Sequence, residues 1–344
     1  MKMKVRHIIL ICILSILMVV IGFVGGCFIS GKCNYKYTNT NEYLSKWMSM
    51  IKDDTKLNNI IIPGSHDSGS YSMLYMGETQ KFDISKQLQL GARYFDVRIT
   101  NDEGNYRIFH DIIKGIEAEP IFGYFKDFLN ENPSEVLIID FQHFNNNPEE
   151  KVIEFVNTYL ADKVLINDTA LSDLEFIDGL TLADVRGKCI ILFPQLSPYT
   201  SMNYIFGRNI DNCSLNNTCL NSNYVRKYHI QQSILFLNND IQKYIDNIKT
   251  KITNEGYQGL FVLQGQMTDA KKIFGPWSRE RNHDANMQSW ISELNNHPDF
   301  EYINIIMRDF LNQEKCENII RMNYYKYIIK DDYDDLFMNT FKVA

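Results

Sequence analysis

Short apolar runs, each bounded by polar or turn-forming residues, recur along the chain after residue 57. Six runs have the length and flanks of buried strands; they cover residues 59–62, 94–99, 136–141, 189–193, 260–263 and 303–307. Four segments with apolar residues at helical spacing lie among them, at residues 122–129, 152–160, 241–252 and 287–294. Strands that alternate with helices indicate a parallel sheet with crossover connections.

The spacing of these runs favours a closed or nearly closed barrel. About six strands over roughly 260 residues approach the size of a TIM barrel, and an open, doubly wound sheet is the alternative. The chain has 344 residues and shows no internal repeat or Gly/Ser linker, so we expect one catalytic domain over residues 57–344. Residues 195–235 are rich in Asn, Ser and Tyr, which predicts a long excursion over one rim of the barrel.

The first 30 residues differ from the rest. Three cationic residues precede a run without charged residues from residue 8 to residue 30, long enough to span a bilayer and oriented with the body outside the cytoplasm. We predict a membrane anchor at residues 1–30 and a polar tether with a short helix at residues 31–56. A cleaved signal peptide and a lipoprotein signal ending at Cys27 are the main alternatives, and a buried core helix is a further one.

Charge and cysteine content limit the kinds of ligand and structural site that the chain can have. A formal net charge of -7 argues against a general nucleic-acid binder, which needs a basic surface. Seven cysteines without a CxxC pair argue against a zinc site or a disulfide framework. Cys213 and Cys219 could close a small loop, and two free thiols are the alternative.

Two histidines follow predicted strands. The first strand runs into PGSHDSGS, which contains His66, and the segment from Tyr106 to Phe109 runs into His110 and Asp111. Groups at the carboxyl ends of barrel strands face the active site, and imidazole suits proton transfer near neutrality. For His66, the alternative is a turn histidine that caps backbone groups.

Charged residues also lie in or after the other strands. Asp96 and Arg98 are two positions apart and therefore share one face of their strand. They form either a structural ion pair or a phosphate site whose arginine is oriented by a carboxylate. Further polar residues end two later strands, namely Asp140, Gln142 and His143, and then Arg308 and Asp309.

Two imidazoles, one guanidinium and supporting carboxylates suit cleavage of a phosphodiester. One imidazole would remove a proton from the attacking hydroxyl and the other would protonate the leaving oxygen. The guanidinium would stabilise charge on the phosphate oxygens, and a carboxylate behind the base would fix its tautomer.

These residues occur in an order that resembles a known family. PGSHDSGS, QLQLGARYFDVR, IFHD and EVLIIDFQHF, followed by VRGKCIILF and IIMRDFLN, resemble the X domain of phosphatidylinositol-specific phospholipases C over residues 57–312. They are most similar to the bacterial enzymes and to proteins that hold only an X domain. The resemblance implies a distorted TIM barrel that cleaves phosphatidylinositol, or a related inositol phospholipid, to diacylglycerol and 1,2-cyclic inositol phosphate. A phospholipid membrane is then the partner.

The resemblance also implies the roles of the proton-transfer residues. His66 corresponds to the general base and Asp309 to its carboxylate partner. His110 corresponds to the general acid, and Asp67 assists it.

The phosphate site follows in the same way. Arg98 corresponds to the phosphate-binding arginine, with Asp96 beside it. Calcium-dependent members place acidic ligands near Asp67, Asp96, Arg98 and Gln142. Because a guanidinium and an amide stand at two of these positions, we expect no metal or other cofactor.

The residues predicted to bind the head group match the family less closely. Gln142 and His143 are predicted to contact substrate, although bacterial members carry a lysine near Gln142. Arg226 and Tyr228, with Lys227 between them, are the candidates in the excursion, and a solvated loop is the alternative there. Trp277, near Arg279 and Arg281, is predicted to lie either in a loop at the membrane interface or packed on the barrel rim.

Two rival functions remain. A metal-dependent glycerophosphodiester phosphodiesterase would use a related barrel, but it usually places Glu and Asp metal ligands around its first histidine, and Arg98 fits that arrangement poorly. A non-catalytic phosphoinositide-binding barrel would keep the fold without turnover, and the presence of all six predicted catalytic residues argues against it.

Overall fold

The computed structural model describes residues 5–194, 197–209, 219–224, 234–266 and 275–343. Within these ranges ten strands form one sheet. In chain order they are β1 Ile62–Ser65, β2 Tyr94–Asp102, β3 Asn105–His110, β4 Ile113–Glu117, β5 Leu137–Asn145, β6 Cys189–Pro194, β7 Ile205–Arg208, β8 Leu220–Tyr224, β9 Leu260–Gln264 and β10 Ile305–Arg308.

Eight of these strands close into a parallel barrel. Around the ring the order is β1, β2, β5, β6, β7, β8, β9 and β10, and β1 completes it by pairing in parallel with both β2 and β10. The closed ring confirms the barrel and removes the open sheet as an alternative. β3 and β4 form an antiparallel extension on β2, outside the ring.

The predicted strands are confirmed, with one shift in position. The first strand begins at Ile62 rather than at residue 59, because Leu57–Asn59 forms a 3-10 turn and pairing with β10 starts at Ile62. β4, β7 and β8 were not predicted. The chain from β6 to β7 includes the short 3-10 helix Pro198–Ser201, which is too short to act as a crossover helix.

Helices cover the outside of the ring and extend the four predicted helical segments. The α-helices are α1 Val5–Gly31, α2 Ile84–Gln89, α3 Glu119–Glu131, α4 Glu149–Tyr159, α5 Asp173–Gly179, α6 Leu182–Val185, α7 Ile234–Glu255, α8 Gly275–Glu293, α9 Gln313–Arg321 and α10 Asp334–Phe341. Further 3-10 helices lie at Leu44–Met50, Leu294–Asn296, Phe300–Tyr302, Met322–Lys326 and Asp331–Tyr333. The short helix expected within residues 31–56 is the one at Leu44–Met50.

Aromatic side chains fix the helices on the barrel. α3 presents buried residues at helical spacing, among them Phe122 and Phe125. The ring of Phe125 lies 5.1 Å from that of Phe95 in β2, and the ring of Phe122 lies 5.9 Å from that of Phe141 in β5. Contacts of this kind contribute beyond their buried area, and they fix α3 across two adjacent strands.

Arg93, just before β2, has a structural role. It is fully buried, and its Nε donates to Glu135 Oε2 at 2.9 Å, while its remaining nitrogens donate to backbone carbonyls that include those of Leu88 and Leu44. Burial without these partners would be costly for a charged group. Arg93 therefore joins the N-terminal segment to the barrel and takes no part in the polar site described below.

We predict that Arg93→Met lowers the free energy of unfolding by about 3–5 kcal/mol, because it leaves Glu135 buried without its cation. Lys56→Met is the matched control: Lys56 is 56% exposed, and its partner Asp178 keeps Asn58 Nδ2 as a donor, so its loss should cost at most about 1 kcal/mol. Urea unfolding of the two variants, followed by tryptophan fluorescence, measures the difference. Equal losses would contradict the structural role of Arg93.

Most of the N-terminal helix is exposed. Within Ile9–Gly31, an 18-residue window has a mean hydropathy of 2.9 and no buried residue, whereas Cys27, near the end of the helix, is buried. It is the one helix among the described residues that is long and apolar enough to cross a membrane. Its composition and position fit a signal sequence as well as an anchor.

Candidate active site

His66 and Asp309 meet because their strands are neighbours. Ser65 in β1 is in register with Arg308 in β10, so the residues that follow leave the barrel side by side. His66 Nδ1 lies 2.7 Å from Asp309 Oδ1. A carboxylate only accepts hydrogen bonds, so Nδ1 donates and Nε2 faces the centre of the site.

Arg98 projects from β2 into the same space. Val97 pairs with Phe141 and Arg98 with His143, so Gln142 is an extra residue on β5, and such a bulge re-aims the side chains around it. Arg98 Nη2 donates to Asp96 Oδ2 at 2.9 Å and to Gln142 Oε1 at 2.7 Å. The same nitrogen lies 3.2 Å from His66 Nε2. The guanidinium is therefore held by neighbours on β2 and β5, next to the free face of the imidazole.

Asp67 links the charged groups. Its backbone has φ +43°, a left-handed conformation that costs a non-glycine residue of order 1–3 kcal/mol and concentrates at functional sites. The Asp67 amide donates to Asp96 Oδ2 at 3.1 Å, which helps to hold this turn. Asp67 Oδ1 lies 2.6 Å from Arg98 Nε, and Oδ2 faces both histidines.

His110 stands on the opposite side of Asp67. Its Nδ1 donates to the carbonyl oxygen of Gly77 at 2.8 Å, which directs Nε2 towards the site. That Nε2 lies 3.7 Å from Asp67 Oδ2, and His66 Nε2 lies 3.4 Å from the same oxygen. Both imidazoles therefore face one small volume beside Arg98, and both side chains keep a fraction of their surface exposed (15% for His110 and 10% for His66).

The electrostatics of the cluster follow from these distances. Burial lowers the pKa of His66, but the carboxylates of Asp67 and Asp309 outweigh it and raise that pKa to about 9. Burial raises the pKa of Asp96, but Arg98 and His66 outweigh it and lower that pKa to about 2. Burial raises the pKa of Asp309, and the adjacent His66 opposes the shift. The free site therefore holds His66 protonated and Asp96 ionised at neutral pH.

This electrostatic pattern predicts the pH dependence. A general base must be neutral, so kcat/KM for a water-soluble inositol phosphodiester should rise with pH until His66 deprotonates near 9. Asp309→Asn removes a carboxylate that raises this pKa, so the rising limb should move to lower pH even as the maximum rate falls. Initial rates of both proteins across the pH range test this. A wild-type limb near the ordinary histidine pKa of about 6.5, unchanged in Asp309→Asn, would contradict it.

One group of side chains has the donors of a cation site. Donor atoms of His66, Asp67 and Asp96 all lie within 4.8 Å of one another. Arg98, however, already contacts both carboxylates, with Nε 2.6 Å from Asp67 and Nη2 2.9 Å from Asp96. The positive charge that such a group needs is thus supplied by the guanidinium.

The other predicted substrate residues have different outcomes. Gln142 is buried and contacts Arg98. His143 is partly buried on β5, at the position that pairs with Arg98. Burial lowers the pKa of His143, and the positive charge of Arg98 lowers it further. Asp140 lies inside the barrel, where it accepts from Tyr94 Oη at 2.6 Å. The remaining candidates, Arg226, Lys227 and Tyr228, lie outside the described residues, as does Cys213 of the suggested pair with Cys219.

A second buried cluster, which the sequence did not reveal, supports the site from behind. Lys315 Nζ donates to the backbone carbonyl of Asp309 at 2.9 Å, and Arg308 Nη2 donates to Glu280 and Asp284, each at 2.8 Å. Glu280 and Asp284 are four residues apart on α8, so they lie on one face of the helix. This spacing of two acidic residues was visible in the sequence, but it does not identify the cationic side chains that contact them.

Arg208, at the end of β7, was also missed. It is fully buried, and its Nε donates to Asp140 Oδ2 at 3.1 Å. This pair and Tyr94 form a polar layer in the barrel. The signal was weak because β7 lies in the Asn- and Ser-rich stretch that was predicted to be an excursion.

Trp277 does not form a membrane-facing tip. It lies in the first turn of α8 and is only 7% exposed. Its ring packs 4.9 Å from that of Tyr35 and 5.1 Å from that of Phe310. The prediction of a loop tryptophan at the interface is wrong, and packing on the barrel rim is correct.

The fold and the cluster define a parallel α/β barrel with a charged pocket at the carboxyl ends of its strands, where barrel enzymes place their active sites. Residues 54–193 match the family model described as phosphatidylinositol-specific phospholipase C, X domain. This match, over less than half of the chain, shows that residues 54–193 carry an X domain of the phosphatidylinositol-specific phospholipase C type.

Similarity to individual proteins agrees with this assignment. The chain is 30% identical over 158 residues to a 1-phosphatidylinositol phosphodiesterase of Listeria monocytogenes, covering 43% of this chain and 48% of the relative. It is 31% identical over 182 residues to the protein of that name from Staphylococcus aureus strain Newman, covering 47% of this chain and 55% of the relative. The chain thus spans about half the length of these curated relatives.

Structural similarity extends further along the chain. The solved phosphatidylinositol-specific phospholipase C of Listeria monocytogenes matches with a TM-score of 0.60 at 20% identity, over 81% of this chain and 98% of that one. At this level of identity the likeness shows a common fold, the TIM barrel of the bacterial enzymes.

Proposed function

We propose that this chain is a phosphatidylinositol-specific phospholipase C that cleaves phosphatidylinositol, or a related inositol phospholipid, to diacylglycerol and 1,2-cyclic inositol phosphate without a metal. The observation that carries the proposal is the placement of His66 and His110 around Asp67, with Arg98 beside them. The names of the bacterial relatives support the substrate class.

The first chemical event is attack by the inositol 2-hydroxyl on phosphorus. His66 Nε2 accepts the hydroxyl proton as the new oxygen–phosphorus bond forms. Asp309, 2.7 Å from Nδ1, stabilises the resulting imidazolium and keeps the ring oriented. The raised pKa of His66 makes it a strong proton acceptor once it has been deprotonated.

The second event is departure of the glycerol oxygen. As its bond to phosphorus breaks, His110 donates the proton on Nε2 and diacylglycerol leaves. Gly77 accepts from Nδ1 and so holds the ring with Nε2 inward. Asp67 Oδ2 lies 3.7 Å from that nitrogen, on the side that faces the site.

Arg98 stabilises the charge that builds up on the non-bridging phosphate oxygens. Its fork is oriented before substrate arrives by Asp67, Asp96 and Gln142. Preorganised donors of this kind need little rearrangement during the reaction. A fixed guanidinium in this position supports a mechanism that does not depend on calcium.

We also propose that α1 remains in the chain as a membrane anchor, with the barrel outside the cytoplasm. The cationic residues at the start of the chain and the exposed apolar window within Ile9–Gly31 support this proposal. The barrel would then act on lipid at the surface of the membrane.

A substrate panel tests the proposed function. The full chain in detergent micelles, with chelator present, is given phosphatidylinositol, phosphatidylcholine and glycerophosphocholine, and water-soluble phosphates are measured. We expect turnover of phosphatidylinositol alone. Turnover of glycerophosphocholine that requires added metal would favour the glycerophosphodiesterase instead, and binding of phosphatidylinositol without turnover would favour a non-catalytic barrel.

A further inference from the structure

The segment that joins the membrane helix to the barrel is packed against the barrel. We define residues 28–37 as the strap. Tyr35 Oη donates to Asp284 Oδ2 at 2.9 Å, and the ring of Tyr37 lies 5.4 Å from that of Phe82. Cys33 is buried with Trp277 and Phe310. A free tether would make few such contacts.

The strap reaches the rim that surrounds the active site. The ring of Phe28, in the last turns of α1, lies 5.5 Å from that of Tyr75 in the loop after β1, and Arg281 Nη2 donates to Ser30 Oγ at 3.0 Å. Phe310, against which Trp277 packs, directly follows Asp309. The loop after β1 and the start of α8 lie at the carboxyl end of the barrel, so α1 leaves the body at the active-site mouth.

Three exposed apolar side chains lie on the same rim. Leu74 is 59% exposed, Met76 is 39% exposed, and Ile112, at the turn between β3 and β4, is 94% exposed. Their two loops touch, because Gly77 packs so closely on Ile113 that an added Cβ would lie 3.0 Å from its Cδ1. We define Leu74, Met76 and Ile112 as the apolar rim.

We propose that the strap holds α1 against the active-site mouth, so that the apolar rim rests on the bilayer in which α1 is embedded. This rests on the proposed membrane anchor, and on the proposed activity only for its biological purpose, which is to present the site to lipid of the anchor's own membrane. A bilayer is the occupant because the membrane helix leaves the body at this rim. Exposed apolar side chains next to such a helix enter the interfacial region.

Charge on the rim favours the same occupant. Lys32 in the strap lies with Nζ 4.9 Å from the ring of Phe28, and Arg281 is exposed beside the end of α1. Cations next to apolar groups suit the head-group layer, where anionic lipids attract them. Phosphatidylinositol is itself such an anionic lipid.

The arrangement also links the bilayer to a catalytic group. Gly77, which accepts from His110 Nδ1 at 2.8 Å, immediately follows the apolar-rim residue Met76. Contact of the rim with lipid would therefore steady the carbonyl that orients His110. The site would be best ordered when the mouth lies on the membrane.

Bilayer contact is tested without any turnover. The full chain is reconstituted in phosphatidylcholine–phosphatidylinositol vesicles with or without brominated phosphatidylcholine, as wild type, Ile112→Trp or Leu171→Trp. Leu171 is the control because it is 44% exposed, in the connection between α4 and α5. After subtraction of wild-type fluorescence, brominated lipid should quench the tryptophan at position 112 roughly twofold or more, as for interfacial residues, and leave that at position 171 unchanged. Equal signals at the two positions would overturn the proposal.

The role of the strap is tested in the Ile112→Trp background. Phe28→Ala with Arg281→Ala removes two contacts between the end of α1 and the body, and both residues are exposed, so folding should survive. We expect the quenching at position 112 to fall to the level of the control position. Quenching that persists undiminished would show that the strap does not hold the mouth on the membrane.

A turnover measurement separates this inference from the proposed function. Leu74→Ser with Ile112→Ser, which keeps Met76 next to Gly77, should lower cleavage of phosphatidylinositol in the chain's own vesicles by roughly tenfold. It should leave hydrolysis of a water-soluble inositol phosphodiester by the chain in detergent micelles unchanged. Ile166→Ser with Leu171→Ser is the matched exposed control. Wild type that cleaves neither substrate would contradict the proposed function alone, whereas a rim variant as active on vesicles as wild type would contradict the inference.

Discussion

Replacing His66 with alanine is expected to lower kcat for phosphatidylinositol cleavage by about 10²–10⁴-fold, the range that general base catalysis contributes. The variant loses the Nε2 that accepts the hydroxyl proton and leaves Asp309 buried without its 2.7 Å partner. In His110→Ala, kcat should fall by a similar factor because the leaving oxygen then departs unprotonated. Initial rates on mixed micelles measure both.

His297→Ala is the control for the loss of a histidine. His297 follows the 3-10 helix Leu294–Asn296, and its Nδ1 accepts from the Asp299 amide at 3.2 Å, away from the site. Its removal should leave kcat unchanged. Thermal unfolding of the three variants checks that the fold persists. If folded His66→Ala and His110→Ala both kept wild-type turnover, the assignment of the two histidines would be wrong.

Replacing Arg98 with lysine is expected to lower kcat by about 10²–10³-fold, as when a preorganised donor is removed from a developing oxyanion. Lysine keeps the charge, but its single ammonium does not reproduce the fork that meets Asp67, Asp96 and Gln142 together. KM should rise less than kcat falls, because the guanidinium stabilises charge chiefly in the transition state. Steady-state kinetics in the presence of chelator measure both parameters.

Arg321→Lys on α9 provides the matched control, because its guanidinium donates to the backbone of Lys342 on the outside of the barrel. It should have wild-type kinetics. If Arg98→Lys were as active as wild type, or if wild-type activity vanished with chelator and returned with calcium, the guanidinium would not hold the place of a metal.

Much of the barrel could be predicted because buried parallel strands are continuous apolar runs. The strand at Cys189–Pro194 is of this kind, the strand at Leu137–Asn145 begins with such a run, and turn residues mark where both start. The strands at Ile205–Arg208 and Leu220–Tyr224 are short and lie among Asn and Ser residues, so no run separates them from a loop. The hairpin of β3 and β4 was missed in part because it lies outside the ring, with residues only partly buried.

The candidate site could be predicted in its members but not in its contacts. His66 and Asp309 are both strand-end residues, yet 243 positions separate them, and only closure of the ring makes their strands neighbours. The bulge at Gln142, opposite Arg98, and the left-handed turn at Asp67 depend on pairing across the barrel. Lys315 was missed because its partners lie on another helix, and the sequence left two placements open for Trp277 because its packing partners are distant in sequence.

The order of products from phosphatidylinositol tests the central claim most directly. The full chain is mixed with phosphatidylinositol micelles and excess chelator, and ³¹P NMR follows the reaction. We predict that 1,2-cyclic inositol phosphate forms first and that any acyclic phosphate appears later from it, because His66 activates the ring hydroxyl rather than water. Acyclic inositol phosphate as the first product, or a reaction that starts only after calcium is added, would contradict the claim.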